Sequence, residues 1–130
     1  LRRVPPQTKR RVISPETARS VTKILEGVVT DGTGTNAAIP GFRVAGKTGT
    51  AQKIDPRTGA YSASRFVASF TGYAPADNPQ LAMIVVIDEP QGDTQGGAVA
   101  APVFNRVGEQ VLSYLGVPAN APITLAMASR

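Results

Sequence analysis

Apolar residues in the first third of the chain recur at the spacing of an α-helix. Ser14 is a favourable N-cap residue, and Pro15 suits the first helical turn. The following apolar positions predict one stripe made of Ala18, Val21, Ile24, Leu25, Val28 and Val29. The segment from Thr30 to Gly41 is too rich in Gly, Asn and Pro to continue a helix. The pattern therefore predicts one amphipathic helix over about Pro15 to Val29.

The middle of the chain predicts three strands joined by short turns. The first is expected from Arg43 to about Ile54, and the segment Asp55 to Gly59 has the composition of a turn. The second is expected over about Arg65 to Tyr73, where side chains alternate between two faces. The third, Leu81 to Ile87, is apolar on both faces. We therefore expect it to be a central strand that is covered on both sides.

A helix is the last element that the pattern predicts. A polar loop through Gly96 and Gly97 precedes it, and Gly116 and Pro118 stop it. Its apolar face is expected to comprise Ala101, Phe104, Val107, Gly108, Val111, Leu112 and Leu115. Because short connections join antiparallel neighbours, the order of elements predicts an α+β fold: an antiparallel sheet with flanking helices.

Composition removes several classes of function. The chain has no Cys and no His, so disulfides, metal sites built from those residues and a catalytic histidine are excluded, and we expect no metal and no cofactor. The net charge of +5 is concentrated near the N-terminus, without aromatic residues that could stack bases, so no nucleic-acid binding is expected. The longest apolar run, Leu81 to Ile87, is far shorter than the about 20 residues of a membrane helix, so no membrane segment is expected in this chain.

The segment from Gly41 to Thr48 fits the phosphate-loop pattern G-x-x-x-x-G-K-[ST]. A phosphate loop requires a helix that opens at its lysine and threonine, because the free N–H groups of that helix hold the phosphates. Here Gly49, Thr50 and then a Pro-Gly turn follow, and the next predicted helix begins only near Ala101. The required context is missing, so a nucleotide-binding protein is a remote alternative.

As a strand, the same residues suggest a different chemistry. Alternation places Thr48 and Thr50 on one face and Lys47 on the other, while Gly49 allows a ligand to approach the backbone. With the free N–H groups of an edge, these side chains could receive an anion. The same composition also fits a polar edge strand whose lysine guards against aggregation, and spacing alone favours this plainer interpretation.

Four segments, in this order, carry a family resemblance: RRVISPETARSV (Arg10 to Val21), GTGTNAAIPG (Gly32 to Gly41), VAGKTGTAQK (Val44 to Lys53) and GGAVAAPVF (Gly96 to Phe104). They resemble class B penicillin-binding proteins, specifically the division-type peptidoglycan transpeptidases. The resemblance implies the C-terminal part of a transpeptidase domain, with a penicillin-binding, serine β-lactamase-like fold, over residues 14–116. It leaves a basic lead-in segment at 1–13 and a tail at 117–130.

The resemblance also implies roles for the residues of the expected first strand. Such enzymes cut the D-Ala-D-Ala bond of a peptidoglycan stem peptide, hold the remainder as a serine acyl-enzyme and pass it to an amine, and β-lactams acylate the same serine. By resemblance Lys47 and Thr50 are catalytic, with Lys47 in the proton relay and the Thr50 N–H in the oxyanion hole. Thr48, Gly49 and Thr50 are expected to bind the substrate, the two hydroxyls holding its carboxylate.

The nucleophile of this family lies in an upstream Ser-x-x-Lys, which a Ser-x-Asn follows. No Ser-x-Asn occurs in this chain, and its one Ser-x-x-Lys, at Ser20 and Lys23, falls on the expected polar side of the first helix, inside the helix. We expect that pair to be a solvated face. The nucleophile is therefore expected outside this chain, and the chain alone is expected to be inactive.

The family resemblance further implies ligands, a partner and a location. The ligands are stem peptides and β-lactam antibiotics, and the partner of the full-length protein is a divisome glycosyltransferase. The location is the periplasmic or extracytoplasmic face of the bacterial cytoplasmic membrane, with an N-terminal anchor that this chain does not contain. A serine β-lactamase or a penicillin-sensor domain is the alternative, but the segments VISPETA and AAPVF favour the synthase.

Overall fold

The computed structural model describes residue 7 and residues 9 to 122. Its elements are α1 (Pro15–Thr30), a 3-10 turn (Thr35–Ala37), β1 (Ala45–Ile54), β2 (Tyr61–Ala74), β3 (Leu81–Asp88), α2 (Gly96–Val99) and α3 (Ala101–Tyr114). The strands form an antiparallel sheet in the order β1-β2-β3. The predicted α+β fold class is confirmed. In the part of the chain that the structure describes, no helix has the length and apolar character needed to cross a membrane.

Helix α1 matches its predicted bounds to within one residue, but its predicted apolar stripe is partly wrong. Its N-terminus is capped as expected, because the Ser14 hydroxyl accepts a hydrogen bond from the Thr17 N–H at 3.1 Å. Val29 is buried, whereas Val21 and Ile24 are 44% and 69% exposed. The helix packs on β1, and the described elements leave the side with Val21 and Ile24 uncovered.

The hairpin of β1 and β2 is longer than predicted on its second strand. Strand β2 begins at Tyr61 instead of Arg65, because Tyr61 still pairs with Ile54 beyond an irregularity in the register. The residues between Tyr61 and Arg65 are small or polar and gave no apolar alternation. Strand β1 begins at Ala45, two residues later than the predicted Arg43.

Strand β3 lies at an edge of the sheet, so the prediction of a central strand covered on both sides is wrong for the described chain. It pairs with β2 alone among the described strands. Its alternate residues Ile84 and Val86 are 63% and 56% exposed, while Met83 and Val85 pack against the core. Both faces of this strand are apolar, but the described elements cover only the face with Met83 and Val85.

The core lies between the sheet and α3. Phe70 of β2 and Phe104 of α3 are fully buried and meet edge to face, with ring centroids 4.8 Å apart. The predicted polar loop at Gly96 and Gly97 is wrong, because these residues begin the short helix α2. The predicted apolar face of the last helix is correct at its centre and wrong at Val107 and Leu115, which are 38% and 54% exposed.

The segment that leads into β1 is fixed from two sides. The Arg43 guanidinium donates two hydrogen bonds to the carboxylate of Glu26 on α1, at 2.7 and 2.8 Å. The bonded carboxylate raises the pKa of Arg43 above its ordinary value. On the other side, the Asn120 side-chain oxygen accepts from the Arg43 N–H at 3.1 Å, and the Asn120 N–H donates to the carbonyl of Gly41 at 3.0 Å. The strand that follows therefore starts from a defined position.

Candidate active site

The outer edge of β1 presents the backbone groups of Thr48 and Thr50. The Glu89 N–H donates to the Phe66 carbonyl at 2.9 Å, which shows that even-numbered residues of β2 turn their backbone groups towards β3. The backbone groups of the odd-numbered residues of β2 then face β1 and hydrogen-bond to it. Gly49 lies opposite one of these residues, Ser69, so its own backbone groups point towards β2. Thr48 and Thr50 alternate with Gly49, so their N–H and C=O groups point away from β2 and out of the sheet edge.

The side chains of Lys47, Thr48 and Thr50 converge on this edge. Thr48 pairs with Phe70 in the register, which places Thr48 and Thr50 on the helix-covered face and Lys47 on the opposite face, as alternation predicts. The Lys47 side chain nevertheless curls around the edge. Its Nζ donates to the Thr48 carbonyl at 3.0 Å and lies 3.4 Å from the Thr48 hydroxyl. One ammonium and two hydroxyls thus share an edge whose outward backbone groups pair with no strand in the described part of the chain.

Three residues to which no role was assigned from the sequence contact the two threonines. The Thr33 and Thr48 hydroxyl oxygens lie 2.8 Å apart. The Thr50 hydroxyl accepts a hydrogen bond from the Gly96 N–H at 3.2 Å, and it lies 3.4 Å from the side-chain oxygen of Gln95. Thr33 and Gly96 lie within segments that carry the family resemblance, but their contacts join residues far apart in the chain, which local sequence patterns do not reveal.

Glycines at two positions allow the close packing around the edge. A Cβ at Gly96 would lie 2.2 Å from the Ser69 carbonyl oxygen and 2.5 Å from that of Gly49, so α2 can rest on the hairpin only without a side chain there. A Cβ at Gly46 would lie 2.4 Å from the ring of Phe70. Gly46, one of the residues that fit the phosphate-loop pattern, is therefore explained by packing.

A polar cleft of about 390 Å³ opens beside the two threonines. Its lining includes Thr33, Asn36, Gln95 and Asp93, and the Asp93 carboxylate accepts a hydrogen bond from the Gln95 N–H at 2.8 Å. Beside this carboxylate, the hydroxyl and amide groups of the lining and the nearby Lys47 ammonium can donate hydrogen bonds to a small anionic group.

Two sequence motifs do not form sites. Lys47 and Thr48 lie within strand β1 and do not open a helix, so the nucleotide-binding alternative is wrong. Ser20 and Lys23 are both exposed in the interior of α1, as predicted for a solvated face.

Comparison with known proteins identifies the family of the chain. Residues 2–109 match the family described as penicillin-binding protein transpeptidase domain. The chain belongs to this family. Its relatives are class B penicillin-binding proteins, which favours the synthase over a β-lactamase or a sensor.

Individual members of the penicillin-binding protein family resemble the chain over most of its length. It is 47% identical over 113 residues to stage V sporulation protein D of Bacillus subtilis, covering 86% of this chain and 17% of that protein. It is 41% identical over 122 residues to peptidoglycan D,D-transpeptidase FtsI of Escherichia coli, covering 92% of this chain and 20% of that protein. The chain thus spans about a fifth of the length of these curated relatives.

Solved transpeptidase structures confirm the fold. The apo transpeptidase domain of Burkholderia pseudomallei penicillin-binding protein 3 superposes with a TM-score of 0.79 at 47% identity, covering 91% of this chain and 36% of that domain. Penicillin-binding protein 3 of Mycobacterium tuberculosis in complex with ampicillin gives a TM-score of 0.77 at 35% identity, covering 92% of this chain and 29% of that chain. The fold is therefore that of part of a transpeptidase domain, as the resemblance implied.

Proposed function

We propose that this chain forms one wall of the active site of a peptidoglycan D,D-transpeptidase that cross-links stem peptides through a serine acyl-enzyme. The observation that carries the proposal is the convergence of Lys47, Thr48 and Thr50 on the outer edge of β1. Membership of the transpeptidase family supplies the reaction class. β-Lactams are the proposed inhibitors, since a related protein forms a complex with ampicillin.

The three residues have distinct roles in this proposal. The Thr48 and Thr50 hydroxyls donate hydrogen bonds to the carboxylate of the stem peptide or of the β-lactam. When the serine oxygen attacks the carbonyl carbon, negative charge develops on the carbonyl oxygen, and the Thr50 N–H donates to it. One such oxyanion donor contributes about 3 kcal/mol to lowering the barrier. Lys47 supplies positive potential beside Thr48 and assists proton transfer, while Gly49 keeps the strand accessible to the ligand.

The nucleophile belongs to sequence outside this chain. Ser20 and Lys23 are exposed within α1, where solvent screens the lysine and no helix N-terminus activates the serine.

The full-length protein is proposed to work in cell division with a glycosyltransferase of the divisome. Its proposed place is the extracytoplasmic or periplasmic side of the cytoplasmic membrane, where an N-terminal segment anchors it. The relationship to FtsI and to stage V sporulation protein D supports the proposed function in cell-wall synthesis and division.

The chain alone is expected to form no covalent adduct with benzylpenicillin, whereas the full-length transpeptidase is expected to bind one penicillin per molecule. The reason is that no serine in the described part of the chain combines a neighbouring lysine with a helix N-terminus. Intact mass spectrometry after incubation with benzylpenicillin measures the mass added to the chain and to the full-length protein. Stoichiometric labelling of the chain at Ser20 would show that the nucleophile is present here, and an unlabelled full-length protein would contradict the proposed reaction.

A further inference from the structure

We propose that Thr33 is a positioning residue that turns the proton of the Thr48 hydroxyl towards the bound carboxylate. This inference rests on the proposed function, in which Thr48 donates to that carboxylate. Its basis is the contact of 2.8 Å between the Thr33 and Thr48 hydroxyl oxygens, which joins the loop after α1 to strand β1.

The hydrogen-bond capacity of Thr48 explains why such a residue is needed. A threonine hydroxyl has one proton to donate and two lone pairs that accept. The Lys47 ammonium can only donate, and its Nζ lies 3.4 Å from the Thr48 oxygen. When Thr33 also donates to Thr48, both lone pairs are occupied, and the Thr48 proton is left for the cleft. Without Thr33, the Lys47 ammonium alone orients the Thr48 hydroxyl, which can then rotate, so that its proton points into the cleft for only part of the time.

The loop that carries Thr33 is held firmly enough to give this direction. The Gly34 N–H donates to the Val28 carbonyl of α1 at 2.9 Å, and the Asn36 amide donates to the Gly97 carbonyl of α2 at 2.9 Å. The Thr33 carbonyl packs so closely on α2 that a Cβ at Gly97 would lie 2.0 Å from its oxygen. Thr33 is thus fixed between two helices, and its hydroxyl approaches Thr48 from a defined side.

The test compares benzylpenicillin with its methyl ester, which lacks the carboxylate, as acylating agents of the full-length transpeptidase. The readout is the ratio of the second-order acylation rate constants for acid and ester. Thr48→Val is expected to lower this preference for the acid by about tenfold or more, as for a lost hydrogen bond to a charged group. Thr33→Val is expected to lower it by about fivefold, and Thr33→Ser, which keeps the hydroxyl, to preserve it.

Two further variants separate positioning from general damage. In a Thr48→Val background, Thr33→Val is expected to cause no further loss of preference, because residues that act through one hydroxyl are not additive. Thr30→Val removes a hydroxyl three residues earlier, which bonds to Asp31, and should leave the preference unchanged. If Thr33→Val fails to fold, Thr33→Ala gives the same readout.

The outcomes distinguish this inference from the proposed function. A loss of preference in both Thr48→Val and Thr33→Val, restored by Thr33→Ser, supports both. A loss in Thr48→Val alone, or an equal slowing of acid and ester by Thr33→Val, overturns the role of Thr33 and leaves the proposed function intact. An unchanged preference in Thr48→Val overturns the carboxylate contact, and with it the role of Thr33.

Discussion

Lys47→Ala in the full-length transpeptidase is expected to slow acylation by benzylpenicillin by on the order of a hundredfold or more, with little change in melting temperature. Its Nζ lies at the β1 edge, 3.0 Å from the Thr48 carbonyl, where it stabilises charge that develops during attack on the drug. The side chain is exposed in the described chain and contributes nothing to the core, so its loss should spare the fold. Time courses with a fluorescent penicillin measure the rate.

Lys53→Ala is the matched control for the loss of one positive charge. Lys53 lies on the same strand, but its ammonium forms ion pairs with Glu89 at 2.7 Å and Asp88 at 2.9 Å, away from the threonines. The hydrogen bonds that the ammonium donates to these two carboxylates, with Glu89 the larger cause, raise the pKa of Lys53 above its ordinary value. Its replacement should leave the acylation rate unchanged, so a large loss in Lys47→Ala alone would be due to position and not to net charge.

Thr50→Val distinguishes the two kinds of donor at the edge. It removes the hydroxyl but keeps the backbone N–H that is proposed to face the oxyanion, so acylation should slow by about tenfold, less than in Lys47→Ala. The same fluorescent assay orders the two variants. If both acylate at the wild-type rate, the strand Lys47 to Thr50 does not line the active site, and the roles implied by the family do not apply to these positions.

Local sequence signals predicted most of the fold. The cap at Ser14, the alternation in β2 and the breaker residues around the helices each act over a few residues, so they can be recognised without the tertiary structure. The alternation that placed Thr48 and Thr50 on one face and Lys47 on the other is of this kind, and the register confirms it.

Burial could not be predicted as well, because it depends on which elements pack against each face. Val21 and Ile24 continue the apolar spacing of α1, but the described elements leave them exposed. Ile84 and Val86 of β3 are equally apolar and equally uncovered by the described elements. Apolar spacing states which residues could be buried, while the contacts of the folded chain decide which of them are.

The prediction of a loop at Gly96 and Gly97 is wrong because it, too, depends on which elements pack together. Two adjacent glycines have poor helix propensity, and sequence rules interpret them as a break. Here a lack of side chains is what permits α2 to approach the hairpin, and that requirement appears only in three dimensions. The contacts from Thr33 to Thr48 and from Gly96 to Thr50 were beyond sequence reasoning because they join distant parts of the chain.

Gly96→Ala is expected to reduce the free energy of unfolding of the full-length transpeptidase domain by about 3 kcal/mol, at the upper end of the range for overpacking. The added Cβ would meet the carbonyl oxygens of Ser69 and Gly49 at 2.2 and 2.5 Å. These two residues pair directly across β1 and β2, so neither carbonyl can move without loosening the hairpin. Helix α2 must therefore shift away from β1, which also lengthens the bond of 3.2 Å from the Gly96 N–H to the Thr50 hydroxyl.

Gly27→Ala is the matched control, because it makes the same change in an open place. Apart from the adjacent backbone of α1, no described atom lies within 4 Å of a Cβ at Gly27. The residue is inside α1, where alanine is favoured over glycine by about 1 kcal/mol. Denaturant unfolding should thus show changes of opposite sign in the free energy of unfolding, with Gly27→Ala stabilising and Gly96→Ala destabilising.

Because the displaced α2 also disturbs the Thr50 hydroxyl, Gly96→Ala should slow acylation under conditions where it remains folded. Wild-type stability and acylation in Gly96→Ala would mean that α2 does not rest on the β1 edge, and that the support described for Thr50 is absent.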